Sequence, residues 1–224
     1  MRKLALLALP ALLLIPSTLS AAPVITAAEI AVLVDADLTD TLNGDPAPAG
    51  VNPLTGLGSF VVEVTGAGTH DVSVFWDLDV TEALLNNGLF DEDGSAVGIA
   101  GAGLSWEIDE PGWTFGDIYT NFSAHALDNT GDGFGPEDVS AALSWNFVLA
   151  AGETAFLNFV ASTAIPNSGF YLLQTDAISN TQIAFYSTID IRGDGPPPIP
   201  EPGTLLLVGS GALAGIRRLR RRTA

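Results

Sequence analysis

The sequence predicts an all-β protein, an antiparallel β-sandwich with a jelly roll as the neighbouring arrangement. Three observations predict it. Stretches of period-two alternation recur through the middle of the chain, as half-buried strands require. Turn formers separate them, with 24 glycines and 14 prolines in 224 residues. There is no cysteine, so disulfides and thiol chemistry are excluded and packing must hold the fold.

The elements follow in order. Glu29 to Leu38 sets Ile30, Val32, Val34 and Ala36 on one face. Ser59 to Thr65 does the same with Phe60, Val62 and Val64. Val72 to Val80 alternates Val72, Val74, Trp76, Leu78 and Val80 against Ser73, Phe75, Asp77 and Asp79. Leu104, Trp106 and Ile108 oppose Ser105, Glu107 and Asp109. Ala142 to Phe147 and Thr154 to Ser162 flank an Ala150-Ala151-Gly152-Glu153 turn, and Gln182 to Ile191 forms the last strand. Thr81 to Leu89 is the only helical candidate, broken by Gly88, and Asn43 to Gly58 reads as a loop. The tryptophans Trp76, Trp106 and Trp145 fall in phase with apolar neighbours and read as core, whereas Trp113 is the candidate exposed ring.

The ends differ from this body. Arg2 and Lys3 precede an apolar core from Leu4 to Ile15 and then small residues, so residues 1–22 read as a cleavable signal peptide. Residues 23–192 form the sandwich body, 193–199 a stiff Pro-rich linker, and 200–224 a separate tail. The net charge is −18, from 26 acids and eight Lys and Arg. Apart from Arg2, Lys3 and the tail arginines, the only basic residue is Arg192. Such a body cannot neutralise phosphates, which excludes nucleic acid as a partner.

The tail has three parts. Pro200, Glu201 and Pro202 form an extended tripeptide. Gly203 to Ile216 is apolar and, as a helix, spans about 21 Å, short against a hydrocarbon core of about 30 Å. Arg217, Arg218, Arg220, Arg221 and Arg222 then form a basic stop, held on the cytoplasmic side by the positive-inside bias. These residues resemble the PEP-CTERM sorting signal of Gram-negative bacteria, with Gly203 where a hydroxyl residue is common. The resemblance covers Ile199 to Ala224. It implies a C-terminal transmembrane sorting helix and an exosortase-type membrane processing enzyme as partner. It also implies a host that makes exopolysaccharide or biofilm matrix.

Candidate chemistry in the body is sparse. Asp128 to Asp138 resembles the start of an EF-hand or dockerin calcium loop. Asp128, Thr130 and Asp132 take the first ligand positions, Gly133 the sharp turn, and Glu137 or Asp138 replaces the missing twelfth-position ligand, since Val139 cannot coordinate. Calcium is the one candidate cofactor. Asp91-Glu92-Asp93-Gly94 is a second acidic turn with a hairpin signal. The pairs Asp77/Asp79 and Glu107/Asp109 each share a strand face, which carboxylate-pair glycoside hydrolysis tolerates, but alternating acids on a strand ordinarily form its solvent face. His70 and His125 have no ligand spacing, and Asn121-Phe122-Ser123 matches a glycosylation sequon. No nucleophile motif is present, so no catalytic residue is assigned. The expectation is a non-enzymatic exported protein of the cell surface or of an exopolysaccharide matrix. It begins as an inner-membrane-anchored precursor and ends at the surface or outside the cell. The alternatives are a calcium-stabilised carbohydrate-binding module and an extracellular polysaccharide hydrolase.

Overall fold

The computed structural model describes residues 23–81, 92–112, 116–131 and 137–193. Ten strands form two antiparallel five-stranded sheets: β1 (Val24–Val34), β2 (Asp37–Asp40), β3 (Gly58–Thr65), β4 (Gly68–Thr81), β5 (Glu92–Val97), β6 (Leu104–Asp109), β7 (Ser140–Leu149), β8 (Glu153–Ser162), β9 (Tyr171–Asp176) and β10 (Gln182–Gly193). The first sheet runs β2-β1-β4-β7-β6 and the second β3-β8-β10-β9-β5. Ten strands exceed the eight of a jelly roll.

The inner faces interdigitate in one core. β4 contributes Val72, Val74, Trp76, Leu78 and Val80, and β7 contributes Leu143, Trp145, Phe147 and Leu149. From the second sheet come Phe60, Leu157, Phe159, Leu172 and Phe185. Trp76 sits at the centre, its ring 5.4 Å from Phe185 and 6.2 Å from Phe159. Trp106 packs on Phe170 at 5.6 Å, so all three tryptophans expected to pack do so. Trp113 lies outside the described residues.

Several expectations change. The segment from Glu29 to Leu38 is two strands, because Asp35 takes φ +53° and reverses the chain into β2. Ala36 therefore lies in the turn. The Ala150–Glu153 turn joins two strands as expected, and they belong to different sheets, with the Glu153 carboxylate accepting from Ala150 N at 2.7 Å. Asp91-Glu92-Asp93-Gly94 is no hairpin: from Glu92 on it is edge strand β5, paired with β9 from Glu92–Asp176 to Val97–Tyr171. Gly94 is small because Ile108 leaves no room; a Cβ there would come 2.8 Å from its Cγ1. The helical candidate at Thr81–Leu89 falls, beyond Thr81 itself, outside the described residues.

The one described α-helix, α1 (Ile118–Ser123), was not anticipated. It belongs to the long excursion between β6 and β7, which are adjacent in the sheet. That excursion folds over the outer face of the first sheet. Ile118, Phe122 and Leu127 pack there on Ala31, Leu33, Phe75 and Ala142 as a second apolar cluster. Phase explains it: Ile118 and Phe122 stand at i and i+4, one helix face. Six residues with β-branched and aromatic members have little intrinsic helicity, so the contact makes the helix.

Candidate functional site

The lid formed by α1 turns an expected solvent face into a buried one. Strand register sets three rows across the outer face of the first sheet. One row is Glu29, Asp77, Ser140 and Asp109; the next is Ala31, Phe75, Ala142 and Glu107; the third is Leu33, Ser73, Ser144 and Ser105. The apolar middle row receives α1. The serine row receives His125, whose Nδ1 lies 2.7 Å from Ser73 Oγ, with Ser144 Oγ 2.7 Å beyond. The acidic row is left with carboxylates.

Alternating acids on β4 and β6 were expected to face water, and that expectation is overturned. Glu107 is fully buried and Asp77 is 6 % exposed. Glu107 is well satisfied: Asn121 Nδ2 donates to both its oxygens, at 3.2 and 3.1 Å, and Asp128 N donates at 3.4 Å. Burial nevertheless raises its carboxyl to about 7 against those bonds, aided by the charges of Asp128 and Asp117. Asn121, the sequon residue, is thus engaged inward.

The neighbouring acids lack such compensation. Burial, and then Asp79, lift Asp77 to about 6 against one hydrogen bond from Ser140 Oγ at 3.1 Å. Asp138, just ahead of β7, is raised to about 7 by burial and by the charges of Asp77, Asp79 and Glu110. Burial also raises Asp79. One oxygen each from Asp77, Asp79 and Asp138 lies within 4.8 Å of the others. Glu29, directly opposite Asp77 in register, is 1 % exposed, and its carboxyl stands beside Asp40 and the Tyr119 hydroxyl of α1. Burial first, then Asp40 and Asp77, push its carboxyl up to about 7.

The loop singled out for calcium is described at its two ends, residues 128–131 and 137–138. Asp128 Oδ1 accepts from Thr130 N at 2.9 Å and from Thr130 Oγ1 at 2.5 Å. Asn129 and Thr130 lie along the edge of β6, bonding Trp106 and Ile108. Glu137 pairs its backbone with Glu92. Asp128 therefore stands with Glu107, whereas Asp138 stands with Asp77 and Asp79; Asp132 lies outside the described residues. The second carboxylate group, Glu107, Asp109 and Asp117, also converges within 4.8 Å.

Sequence reasoning named Asp138 but missed Glu29 and the burial of Asp77. The usable signal was Glu29, an acid inside an otherwise apolar strand pattern. Glu92 was read as a turn residue and is a buried bridge between sheets: Val80 N donates to Oε1 at 2.8 Å, and Val139 N at 3.4 Å and Gln174 Nε2 donate to Oε2.

Ser73 and His125 are within nucleophile–base reach. Ser73 is fully buried, however, and His125 Nε2 meets the backbone carbonyl of Asp35 at 2.7 Å. His70 bridges Asp35 Oδ2 and the Gly66 carbonyl, each at 3.0 Å. Both histidines tie loops to the sheet.

Among the described residues, no helix is long and apolar enough to cross a membrane. The tail residues Pro200 to Pro202 and Arg217 to Arg222 lie outside them, so their evidence is the sequence. No curated protein and no solved structure matches the chain. Residues 198–222 match the PEP-CTERM protein-sorting motif, which marks an exported protein whose membrane-held precursor exosortase processes.

Proposed function

We propose that the body is a non-enzymatic cell-surface or extracellular-matrix protein of an exopolysaccharide-producing cell, delivered by its two ends. The tail motif carries this reading. A leader at residues 1–22 starts export. The apolar run and the arginines from Arg217 to Arg222 then hold the precursor in the inner membrane, and processing near Pro200–Pro202 frees the body. The composition supports an extracellular life: the body has no cysteine and is strongly acidic. The non-enzymatic part draws support from the burial of Ser73, Asp77 and Glu107, of which Ser73 is held by His125 and Glu107 by Asn121.

Intact-mass analysis of the protein from its native host, with and without the exosortase, tests the reading. A mature C-terminus near Pro200 is expected with the enzyme, and an intact tail without it. Replacing the five tail arginines by Ser should block retention and processing. Normal processing of that variant, or a mature chain ending beyond Arg222, refutes the proposal. Recovery of the mature body in the extracellular polymer fraction is the expected location.

A further inference from the structure

We propose that His70 and Asp35 form a proton-operated clasp that fastens the β1–β2 turn to the β3–β4 turn at one end of the first sheet: the charged imidazolium holds both turns, and the neutral ring holds only one. This goes beyond the sorting reading and does not depend on it.

A neutral histidine ring has one N–H donor and one acceptor nitrogen. Both ring nitrogens of His70 face groups that only accept. Nδ1 lies 3.0 Å from Asp35 Oδ2, and Nε2 lies 3.0 Å from the Gly66 carbonyl. A carboxylate and a carbonyl have no proton to give, so the two bonds coexist only on a ring that carries both protons. His125, the chain's other histidine, is the contrast. Its Nε2 meets the Asp35 carbonyl at 2.7 Å, but its Nδ1 meets the Ser73 hydroxyl at 2.7 Å, and a hydroxyl turns to donate or to accept. A neutral His125 therefore keeps both contacts, whereas a neutral His70 does not.

Asp35 is built into the clasp on all sides. At φ +53° it reverses the chain from β1 into β2. Its N–H donates to the Asp71 carbonyl at 2.7 Å, its Oδ1 accepts from Asp71 N at 3.0 Å, its Oδ2 takes His70, and its carbonyl takes His125. The charges that act on His70 are Asp35, across from it, and Asp71, its neighbour on β4. β7 supplies a neutral wall, the Phe147 ring at 5.8 Å, and Asn146, whose amide donates to Asp71 at 2.7 Å. The bond to Asp35, and then that to Gly66, raise the proton affinity of His70 above the ordinary histidine value. Against the cost of burial, the Asp71 amide and then His70 hold the Asp35 carboxyl below its own ordinary value.

The pH window follows from those directions. The stabilisation from His70 is fully present below the unfolded value of 6.5 and is lost as pH rises through the higher folded one. At the acid end it is lost as Asp35 takes up a proton. Above the window one of the two turns loses its donor. The strand that follows the Asp35 turn, β2, has four residues and lies at the edge of the sheet, so its amides report the release.

The test uses the full chain in detergent micelles with isotope-labelled histidine, of which the chain has two. NMR follows the ring nitrogens against pH, and His70→Gln identifies the His70 signals. In about 1 M sodium chloride, where the Debye length is about 3 Å and the field of the acidic body is screened, His70 should still titrate above the ordinary histidine value. Asp35→Asn removes the charge but suits a positive φ; it should weaken proton binding at His70 about threefold, the scale of an exposed ion pair. Hydrogen exchange of the β2 amides should be about threefold slower in the parent than in His70→Gln near pH 5.5, and equal in the two near pH 9, on either side of the histidine titration. Three results overturn the proposal: a His70 midpoint at or below the ordinary value in high salt; the same midpoint in Asp35→Asn as in the parent; or a β2 exchange ratio between parent and His70→Gln that does not change with pH. The first and third stand without the Asp35 variant.

Discussion

Replacing Glu92 by Gln should change how stability depends on pH. Glu92 is 1 % exposed, and burial, assisted by the charge of Asp138, lifts its carboxyl from 4.5 to about 8 in spite of hydrogen bonds from Val80, Gln174 and Val139. The sign follows from linkage. In the unfolded chain the group ionises near its ordinary value; in the folded chain it holds its proton until about pH 8. Between those limits the folded state binds the extra proton, so stability falls as pH rises. One such group contributes a slope of about 1.4 kcal/mol per pH unit. Between pH 5 and pH 7 the parent should lose roughly 2.5 kcal/mol through Glu92 alone. Gln cannot ionise, so Glu92→Gln removes that slope. Its amide also mismatches one of the three donors around it, but that cost is the same at every pH and cancels in the comparison. Urea unfolding by tryptophan fluorescence, with chelator present, measures both proteins at pH 5, 6, 7 and 8. The variant should gain on the parent by roughly 2.5 kcal/mol from pH 5 to pH 7. Parallel pH profiles would show that Glu92 is ionised in the fold and would refute the burial argument.

Two further outcomes are expected. Trp76→Ala should cost about 3–5 kcal/mol in urea unfolding, since the ring fills the centre of the core between Phe159 and Phe185; a loss below 1 kcal/mol, the scale of a surface substitution, would mean that the sheets do not pack around it. Arg192→Ala should change stability by less than about 1 kcal/mol, because its pair with Asp190 is largely exposed; a larger loss would give the cation–π contact with Phe156 an unexpected weight.

Much of the fold was legible because alternation reports one buried face. Val72 to Val80 is the clearest case, with every second residue now in the core. Where the signal failed, the inward face was polar. β9 turns Leu172, Gln174 and Asp176 inward, and β5 begins with buried Glu92, so neither strand shows an apolar stripe. Some of their buried polar atoms are held by partners distant in sequence, such as Gln174 Nε2, which donates to the Leu78 carbonyl. The acids of the outer face were misread for the opposite reason. Asp77 and Glu107 alternate as surface residues do, and nothing nearby in sequence announces that both will be buried.

The sequence by itself determined the class and the address. A period of two specifies strands wherever it occurs, and the order of Pro-Glu-Pro, apolar run and arginines is a linear signal that needs no fold to be read. Tertiary structure alone decided the state of the carboxylates. Strand pairing set Glu29 opposite Asp77 from places far apart in the chain, and packing withdrew both from water. Proton affinity and cation affinity depend on that shared burial and proximity, and neither is a property of a residue in its local sequence.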